Sequence, residues 1–164
     1  MSLRLGADPD NGVAERSAPW YRPSVRIVLV DSGPLLALFN RADSWHDRVA
    51  IWMQLNPQAK LITTWPVMTE VCAMLARRIH NEAALDFLRW AQRGAISCDA
   101  PVQASLTTVL QISMRFASLP FDLADASVAE AASRLKIRHI LSVDSDFDVY
   151  RDPVGEALLN VLRA

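Results

Sequence analysis

The sequence contains few of the residues that build covalent or thiolate-based cross-links. Its 164 residues include only two cysteines, Cys72 and Cys98, which are far apart and form neither a Cys-x-x-Cys motif nor a Cys/His cluster. This scarcity argues against a disulfide framework and against a zinc site. We therefore expect both thiols to be reduced and to lie in the core.

Long apolar runs are also missing. No window contains the roughly 18 uninterrupted apolar residues that a membrane-spanning helix requires, and the first residues lack the apolar segment of a signal peptide. The sequence therefore predicts a cytoplasmic protein with no membrane contact.

Lysine is scarce as well, because two lysines stand beside 15 arginines, and the formal net charge is -1. With a net charge near zero, the chain lacks the excess of basic residues that is typical of many nucleic-acid-binding proteins. From Val25 onward the chain has 14 basic and 15 acidic residues, and five of those acids form one candidate cluster described below. If a cation neutralises that cluster, the remainder has 14 basic residues against 10 acidic ones. Such a balance permits a phosphodiester substrate, and arginine is well suited to binding phosphate.

The remaining composition is that of a globular protein, with 51% apolar and 21% charged residues. Residues 1–24 contain three prolines, two glycines and no hydrophobic periodicity, so we predict a flexible N-terminal extension. Residues 25–164 are predicted to form one domain, which is long enough to bury a substantial core.

Apolar runs of strand length alternate with segments of helical periodicity throughout the predicted domain. This alternation predicts a three-layer α/β/α sandwich around a parallel central sheet. The predicted strands cover residues 26–30, 60–63, 95–98 and 139–143. Five predicted helices cover residues 34–39, 44–55, 65–79, 81–94 and 122–135. A further predicted helix is capped by residues 99–101 and ends near residue 116. We expect Ser44 and Asp47 to form a capping box, and Leu123 and Leu135 to belong to the apolar face of the last helix.

Acidic residues occupy the positions where such a sheet places its ligands. Asp31 follows the first strand, and Asp144 and Asp146 follow the last one. Glu70 and Asp125 lie near the starts of two helices. If the two strands are neighbours, the carboxylates converge, and at about 4 Å each like-charged pair would cost about 4 kcal/mol. Oxygen ligands without His or Cys indicate Mg²⁺ or Mn²⁺ as the stabilising ion.

Most of these acids also have a simpler interpretation. Glu70 is compatible with a surface position that complements the helix dipole. Asp122 and Asp125 match a capping box, and Asp144 could cap the turn that follows its strand. His46, in the polar first turn of the second helix, is interpreted as an ordinary solvated residue.

Two other motif assignments fit less well. The acids from Asp144 to Asp148 copy the opening of a calcium-binding EF-hand loop. Val149 then stands at the glycine position and Gly155 at that of the bidentate glutamate, which argues against calcium. A strand followed by Asp-x-Asp also resembles the nucleophile motif of haloacid-dehalogenase phosphatases. In that family the motif ends the first strand and the catalytic domain follows it, whereas here only about 18 residues remain.

Three segments stand in a characteristic order: VLVDSGPLLALF, TWPVMTEV and DLADASVAEAASRLKIRHILSVDSDF. Together they resemble the PIN-domain ribonucleases and, within them, the VapC-type toxins of bacterial toxin–antitoxin pairs. The resemblance covers most of residues 25–151 and implies a PIN-like sandwich that binds Mg²⁺ or Mn²⁺ and cleaves RNA. Carried over by position, it implies five acids that bind the metal and catalyse cleavage, namely Asp31, Glu70, Asp125, Asp144 and Asp146.

The resemblance has further implications for the site and for binding partners. Ser32 and Ser142 would be polar supports and Asp122 a helix cap, although DSG replaces the commoner DTN or DTS after the first strand. A cognate antitoxin and a homodimer are expected. Five arginines are candidates for contacting RNA phosphates: Arg77, Arg78, Arg89, Arg93 and Arg115. The alternative is a non-catalytic module of the same fold that binds RNA or protein, which would bind metal without turnover.

Overall fold

The computed structural model describes residues 26–119 and 121–163. The predicted flexible extension of residues 1–24 lies outside the described residues. Within the described ranges there are five strands: β1 (Ile27–Val30), β2 (Lys60–Thr64), β3 (Ser97–Asp99), β4 (His139–Leu141) and β5 (Leu159–Asn160). The same ranges contain seven helices: α1 (Ser32–Leu38), α2 (His46–Leu55), α3 (Trp65–Arg78), α4 (Asn81–Gln92), α5 (Ser105–Arg115), α6 (Leu123–Leu135) and α7 (Asp146–Val149).

The strands form one parallel sheet in the order β3-β2-β1-β4-β5. Strand β1 lies at the centre, where Leu29 pairs with Ile62 of β2 on one side and with Ile140 of β4 on the other. Leu29 and Ile140 are fully buried. Continuous apolar runs of this kind are expected in parallel strands, because helices cover both faces of the sheet. The helices flank the sheet and complete the predicted three-layer architecture.

Helix α6 connects the core to the carboxyl end of the sheet. A capping box at Asp122 opens the helix, and Lys136 in the left-handed conformation (φ 56°) ends it. The predicted apolar face is partly wrong, because Leu123 and Leu135 are 59% and 37% exposed at the two ends. The middle of the helix, residues 126–132, is instead buried on all sides. Small alanine side chains allow this, since they let neighbouring elements approach from several directions.

Several predicted boundaries were wrong. Helix α2 begins at His46 and has no Ser44 cap, because Asp43 Oδ1 accepts the N–H of Trp45 at 2.9 Å and forms a turn there. Helix α5 begins at Ser105, whereas Asp99 ends strand β3 and pairs with an arginine of α6. Strand β4 ends two residues early, and both α7 and β5 were not predicted.

The remaining expectations concern individual side chains. Cys72 and Cys98 are free thiols, as predicted, but both are half-buried and lie against the core, not within it. The prediction of a solvated His46 was wrong, because its ring is half-buried and Nδ1 lies 2.8 Å from the carbonyl oxygen of Ala37, which ties α2 to α1. In the part of the chain that the structure describes, no helix has the length and apolarity needed to cross a membrane.

Candidate active site

The carboxyl ends of β1 and β4 lie side by side at the centre of the sheet. The chain runs from β1 outward to β2 and β3 and then crosses to β4, so the strand order reverses between β1 and β4. Open parallel sheets bind their ligands at such a reversal. Asp31 directly follows β1, and Asp144 lies shortly beyond the end of β4. Both acids are therefore placed at the reversal.

Asp31 is the most enclosed of the five acids, with 3% of its surface exposed. Its Oδ1 accepts a hydrogen bond from the backbone N–H of Ser32 at 2.6 Å, which caps helix α1. Its Oδ2 accepts a hydrogen bond from Ser142 Oγ at 2.9 Å. The pKa of Asp31 is raised to about 6, because burial and, to a smaller extent, the charges of Glu70 and Asp144 outweigh the effect of these two bonds.

The Ser142 hydroxyl joins two of the acids. It donates to Asp31 Oδ2 and accepts the backbone N–H of Asp144 at 3.0 Å. Ser142 is completely buried, so both bonds are shielded from water. Ser32 Oγ lies farther from the same carboxylate, at 3.5 Å from Asp31 Oδ1. Of the two serines, Ser142 therefore makes the shorter contact with Asp31.

Asp125 combines helix capping with a position near Asp31. Its Oδ2 accepts the N–H of Asp122 at 3.1 Å, and its own N–H donates to Asp122 Oδ1 at 3.0 Å, as the capping-box interpretation predicted. The pKa of Asp125 is raised to about 7, mainly by burial, then by the charge of Asp31 and less by those of Asp122 and Asp144. The capping bond engages only one carboxylate oxygen.

Buried hydroxyl groups connect the elements that carry these two acids. Thr64 Oγ1 at the end of β2 lies 2.6 Å from Ser127 Oγ in the second turn of α6. Thr63 Oγ1 donates to the carbonyl oxygen of Val30 at 2.8 Å, in the last residue of β1. Strand β2 thus fixes the start of α6 relative to the end of β1. Sequence analysis did not identify these hydroxyls, because threonine and serine are common in strands and helices alike.

Of the other three acids, Asp144 raises the pKa of both Asp31 and Asp125, and Glu70 raises that of Asp31. Asp144 is exposed, and its Oδ1 accepts the N–H of Asp146 at 2.8 Å, so it also caps the turn as the simpler interpretation proposed. Asp146 begins α7, and its pKa is raised by desolvation and by the charge of Asp144. Glu70 is half-buried in the second turn of α3, where its charge acts on Asp31.

The five acids share one end of the sheet without forming a compact set of ligands. Among residues 26–119 and 121–163, no group of three or more His, Cys, Asp or Glu side chains is arranged to hold a metal ion. One oxygen of Asp125 and one of Asp144 are instead bonded to nearby backbone N–H groups. The donor chemistry nevertheless fits a hard divalent cation. All five are carboxylates. A cation would offset the cost of burying negative charge and the mutual repulsion of the acids, which together raise the pKa values of Asp31 and Asp125.

Sequence analysis missed Asn160 and Arg163, which contact the segment that leaves β4. Asn160 Nδ2 donates to the carbonyl oxygen of Ser142 at 2.9 Å. Arg163 Nη2 donates to the carbonyl oxygen of Val143 at 2.7 Å. The two-residue strand β5 gives no periodic signal in the sequence, so nothing in the pattern indicated that these side chains reach the acids' end of the sheet.

The five candidate arginines differ in their surroundings. Arg89 pairs with Glu82 and Asp86 of its own helix, and the Arg115 guanidinium lies 5.4 Å from the ring centroid of Phe116. The remaining three are exposed: Arg77, Arg78 and Arg93. The side-chain contacts therefore make Arg89 a less suitable phosphate ligand than the sequence suggested.

A parallel sheet of order β3-β2-β1-β4-β5 flanked by helices defines a PIN-like α/β/α sandwich, which confirms the predicted fold class. No family model and no curated protein sequence matches this chain. Several solved structures are similar to it. One is VapC20 of Mycobacterium tuberculosis, a toxin that cleaves the sarcin–ricin loop. Its TM-score is 0.70 at 17% sequence identity, over 81% of this chain and 98% of that one.

Another similar structure is VapBC2 from Rickettsia felis bound to a DNA fragment from their promoter. Its TM-score is 0.57 at 10% sequence identity, over 74% of this chain and 90% of that one. At these identities the similarity is one of fold. The expected resemblance to VapC structures is thus confirmed at the level of the fold.

Proposed function

We propose that this protein is a metal-dependent endoribonuclease of the VapC type, the toxin of a toxin–antitoxin pair. The observation that carries the proposal is the buried carboxylate of Asp31 at the strand-order reversal, close enough to Glu70, Asp125 and Asp144 for their charges to interact. The fold is shared with a toxin that cleaves RNA, which supports a nuclease over other metal-dependent hydrolases.

In this proposal Asp31 and Asp144 are the primary ligands of Mg²⁺ or Mn²⁺, and Glu70, Asp125 and Asp146 complete the shell directly or through water. The bound cation would lower the pKa of a coordinated water and stabilise charge on the scissile phosphate. The residues of the chain have separate tasks. Ser142 fixes the orientation of the Asp31 carboxylate, and the Asp122 capping bond fixes that of Asp125.

A second candidate is a non-catalytic module of the same fold that binds RNA or protein. The observation that favours it is the spacing of the acids, which are not gathered into a ligand set within the described residues. The two candidates differ in turnover, because a binding module would take up a cation or RNA without cutting.

The purified chain is expected to cut RNA in Mg²⁺ and to lose that activity in EDTA. The test panel should contain a sarcin–ricin loop fragment, tRNA and single-stranded RNA, and cleavage should be followed by gel. Asp144→Asn removes one proposed ligand charge and should reduce the rate at least about a hundredfold. Asp86→Asn, on the exposed face of α4, is the matched control and should cut at the wild-type rate. Metal-dependent binding of RNA without cleavage would favour the second candidate.

We further propose that the protein acts in the cytoplasm with a cognate antitoxin, which the similarity to a VapBC structure supports. A homodimer is part of the same proposal. Helix α5 supports it with an exposed apolar stripe of three residues at four-residue spacing, Leu106, Leu110 and Met114, each at least 56% exposed, and Val102, 58% exposed, lies four residues earlier, just before the helix. The helix has one charged residue, Arg115, so two copies could approach without strong repulsion.

Leu110→Lys is expected to convert the dimer into a monomer, because it places a charge in the middle of the stripe where the apolar contact would be. Sedimentation velocity across a concentration series would measure the change. Gln111→Lys adds the same charge at the next exposed position and should leave the dimer intact. Equal sedimentation of wild type and Leu110→Lys would rule out this stripe as the interface.

A further inference from the structure

The hydrogen-bond pattern between β4 and β5 changes at the end next to the acids. Two regular bonds join the strands, from Leu159 N to Arg138 O at 2.7 Å and from Val161 N to Ile140 O at 2.8 Å. The next bond in this parallel pattern would run from the N–H of residue 163 to the carbonyl of Ser142. That N–H instead turns back to the carbonyl oxygen of residue 160, at 3.2 Å. The Ser142 carbonyl thus loses its backbone partner.

Side chains replace the missing backbone bonds. Asn160 Nδ2 donates to the Ser142 carbonyl at 2.9 Å, and Arg163 Nη2 donates to the Val143 carbonyl at 2.7 Å. Arg163 Nη1 also pairs with Asp148 Oδ2 of α7 at 2.5 Å. We refer to Asn160 and Arg163 as the clasp. It contacts both sides of the loop that carries Asp144.

The segment bound by the clasp contacts the acids directly. The Ser142 hydroxyl donates to Asp31 and accepts the N–H of Asp144, so its position fixes one acid relative to the other. Val143 packs against Gly33 in the first turn of α1, where a methyl group in place of the glycine hydrogen would overlap Val143 Cγ2. A displacement of Ser142–Val143 would therefore be transmitted to the environment of Asp31.

We propose that Asn160 and Arg163 are positioning residues of the active site, which act through Ser142 and Val143 respectively to set the spacing of Asp31 and Asp144. The inference rests on the proposed metal-dependent nuclease function. Neither side chain needs to touch RNA or metal. Outer-shell contacts that orient metal ligands commonly contribute 10- to 100-fold to metal affinity or activity.

The test measures Mn²⁺ affinity without RNA, by electron paramagnetic resonance of the free ion, beside cleavage rate and melting temperature. Asn160→Ala is expected to weaken Mn²⁺ binding about tenfold and to lower the cleavage rate by a similar factor. Asn56→Ala is the matched control, since Asn56 Nδ2 also donates to a main-chain carbonyl, that of Trp52 at 2.8 Å, but at the end of α2. It should affect only the melting temperature. Arg163→Met, at an exposed position, provides a second test if Asn160→Ala is too unstable.

A double-mutant cycle separates positioning from a general effect on folding. If Asn160 acts by placing the Ser142 hydroxyl, Asn160→Ala should change Mn²⁺ affinity little in a Ser142→Ala background. Additive effects, or wild-type affinity and rate in both clasp variants, would overturn the clasp proposal while leaving the nuclease function intact. A wild-type protein that neither binds Mn²⁺ nor cuts RNA would overturn the nuclease function itself, and the clasp proposal with it.

Discussion

Replacing Asp31 with asparagine should reduce RNA cleavage by about a thousandfold and, at the same time, stabilise the metal-free protein. A cation that contributes several kcal/mol to the transition state would lose its most enclosed ligand, and about 4 kcal/mol corresponds to that loss of rate. The stability gain has a separate cause. The Asp31 carboxylate is 3% exposed next to other acids, and asparagine removes its charge while keeping its shape.

The sign of this effect follows from the pKa of Asp31, which is raised from 3.8 to about 6 in the folded protein. Between these values the folded state binds more protons than the unfolded state, so the unfolding free energy decreases as the pH rises. Above pH 6 the full penalty is present, on the order of 3 kcal/mol. The wild type should therefore lose stability across pH 4 to 6, and Asp31→Asn should lose less, although Asp125, whose pKa is also raised mainly by burial, still titrates in the variant.

Urea unfolding in EDTA at a series of pH values would measure this difference, and a gel assay in Mg²⁺ would measure the rate. Asp86→Asn, which changes an exposed acid paired with Arg89, should follow the wild type in both assays. A lower unfolding free energy for Asp31→Asn at pH 8 would contradict the expectation. It would mean that the bonds to Ser32 and Ser142 outweigh the cost of burying the charge.

Arg134→Met should lower the unfolding free energy by about 3 kcal/mol, the largest loss that we expect from a residue outside the hydrophobic core. Arg134 in α6 bonds both oxygens of Glu130, at 2.8 and 3.1 Å, and also pairs with Asp99 of β3. The Glu130 side chain is only 5% exposed. Without the guanidinium, a buried carboxylate would remain with no opposite charge, which is far more costly than losing a surface ion pair.

Denaturant unfolding would test this prediction against two further variants. Adding Glu130→Gln to Arg134→Met removes the unpaired buried charge and should restore much of the lost stability. Arg89→Met is the surface control, because Arg89 also pairs with two acids, Glu82 and Asp86, but is 50% exposed. It should cost far less stability than Arg134→Met, because water screens an exposed ion pair. Equal losses for Arg89→Met and Arg134→Met would show that burial of Glu130 does not determine the effect.

Much of the architecture could be predicted because local pattern and global fold agree in this chain. The runs that became β1 and β4 are short, apolar and followed by polar residues, and Pro66 marks the point where β2 is succeeded by α3. The strand-end positions of Asp31 and Asp144 could be predicted for the same reason. The position of a residue at the end of a strand can be predicted from the local pattern alone, without information about distant parts of the chain.

The errors occurred where distant contacts decide the structure. Asp99 resembles a helix cap locally, but pairs with Arg134, 35 positions further along the chain, and the helix begins only at Ser105. Asn160 is an unremarkable polar residue in a two-residue strand, and only its contact with Ser142 relates it to the acids. Contacts of this kind leave no periodicity in the sequence.

The spacing of the acids could not be predicted either. Asp125 and Asp144 satisfy the local requirement of capping a helix and a turn, and each bonds a backbone N–H. The sequence indicated both this interpretation and the ligand interpretation for the same side chains. Both remain compatible with the structure, since each capping bond uses one oxygen of a two-oxygen group.

The pairing of β1 with β4 also has a consequence for the order of folding. It joins Leu29 to Ile140 across more than a hundred intervening residues, whereas β1, β2 and β3 follow one another along the chain. Loop closure over so long a segment is slow compared with the assembly of nearby elements. A partly folded chain with only the β1–β3 half would leave one edge of β1 unpaired and would keep Asp31 apart from Asp144. The proposed active site would then be assembled only in the last large step of folding. Intermediates with an unpaired edge of β1 would be prone to aggregate before that step.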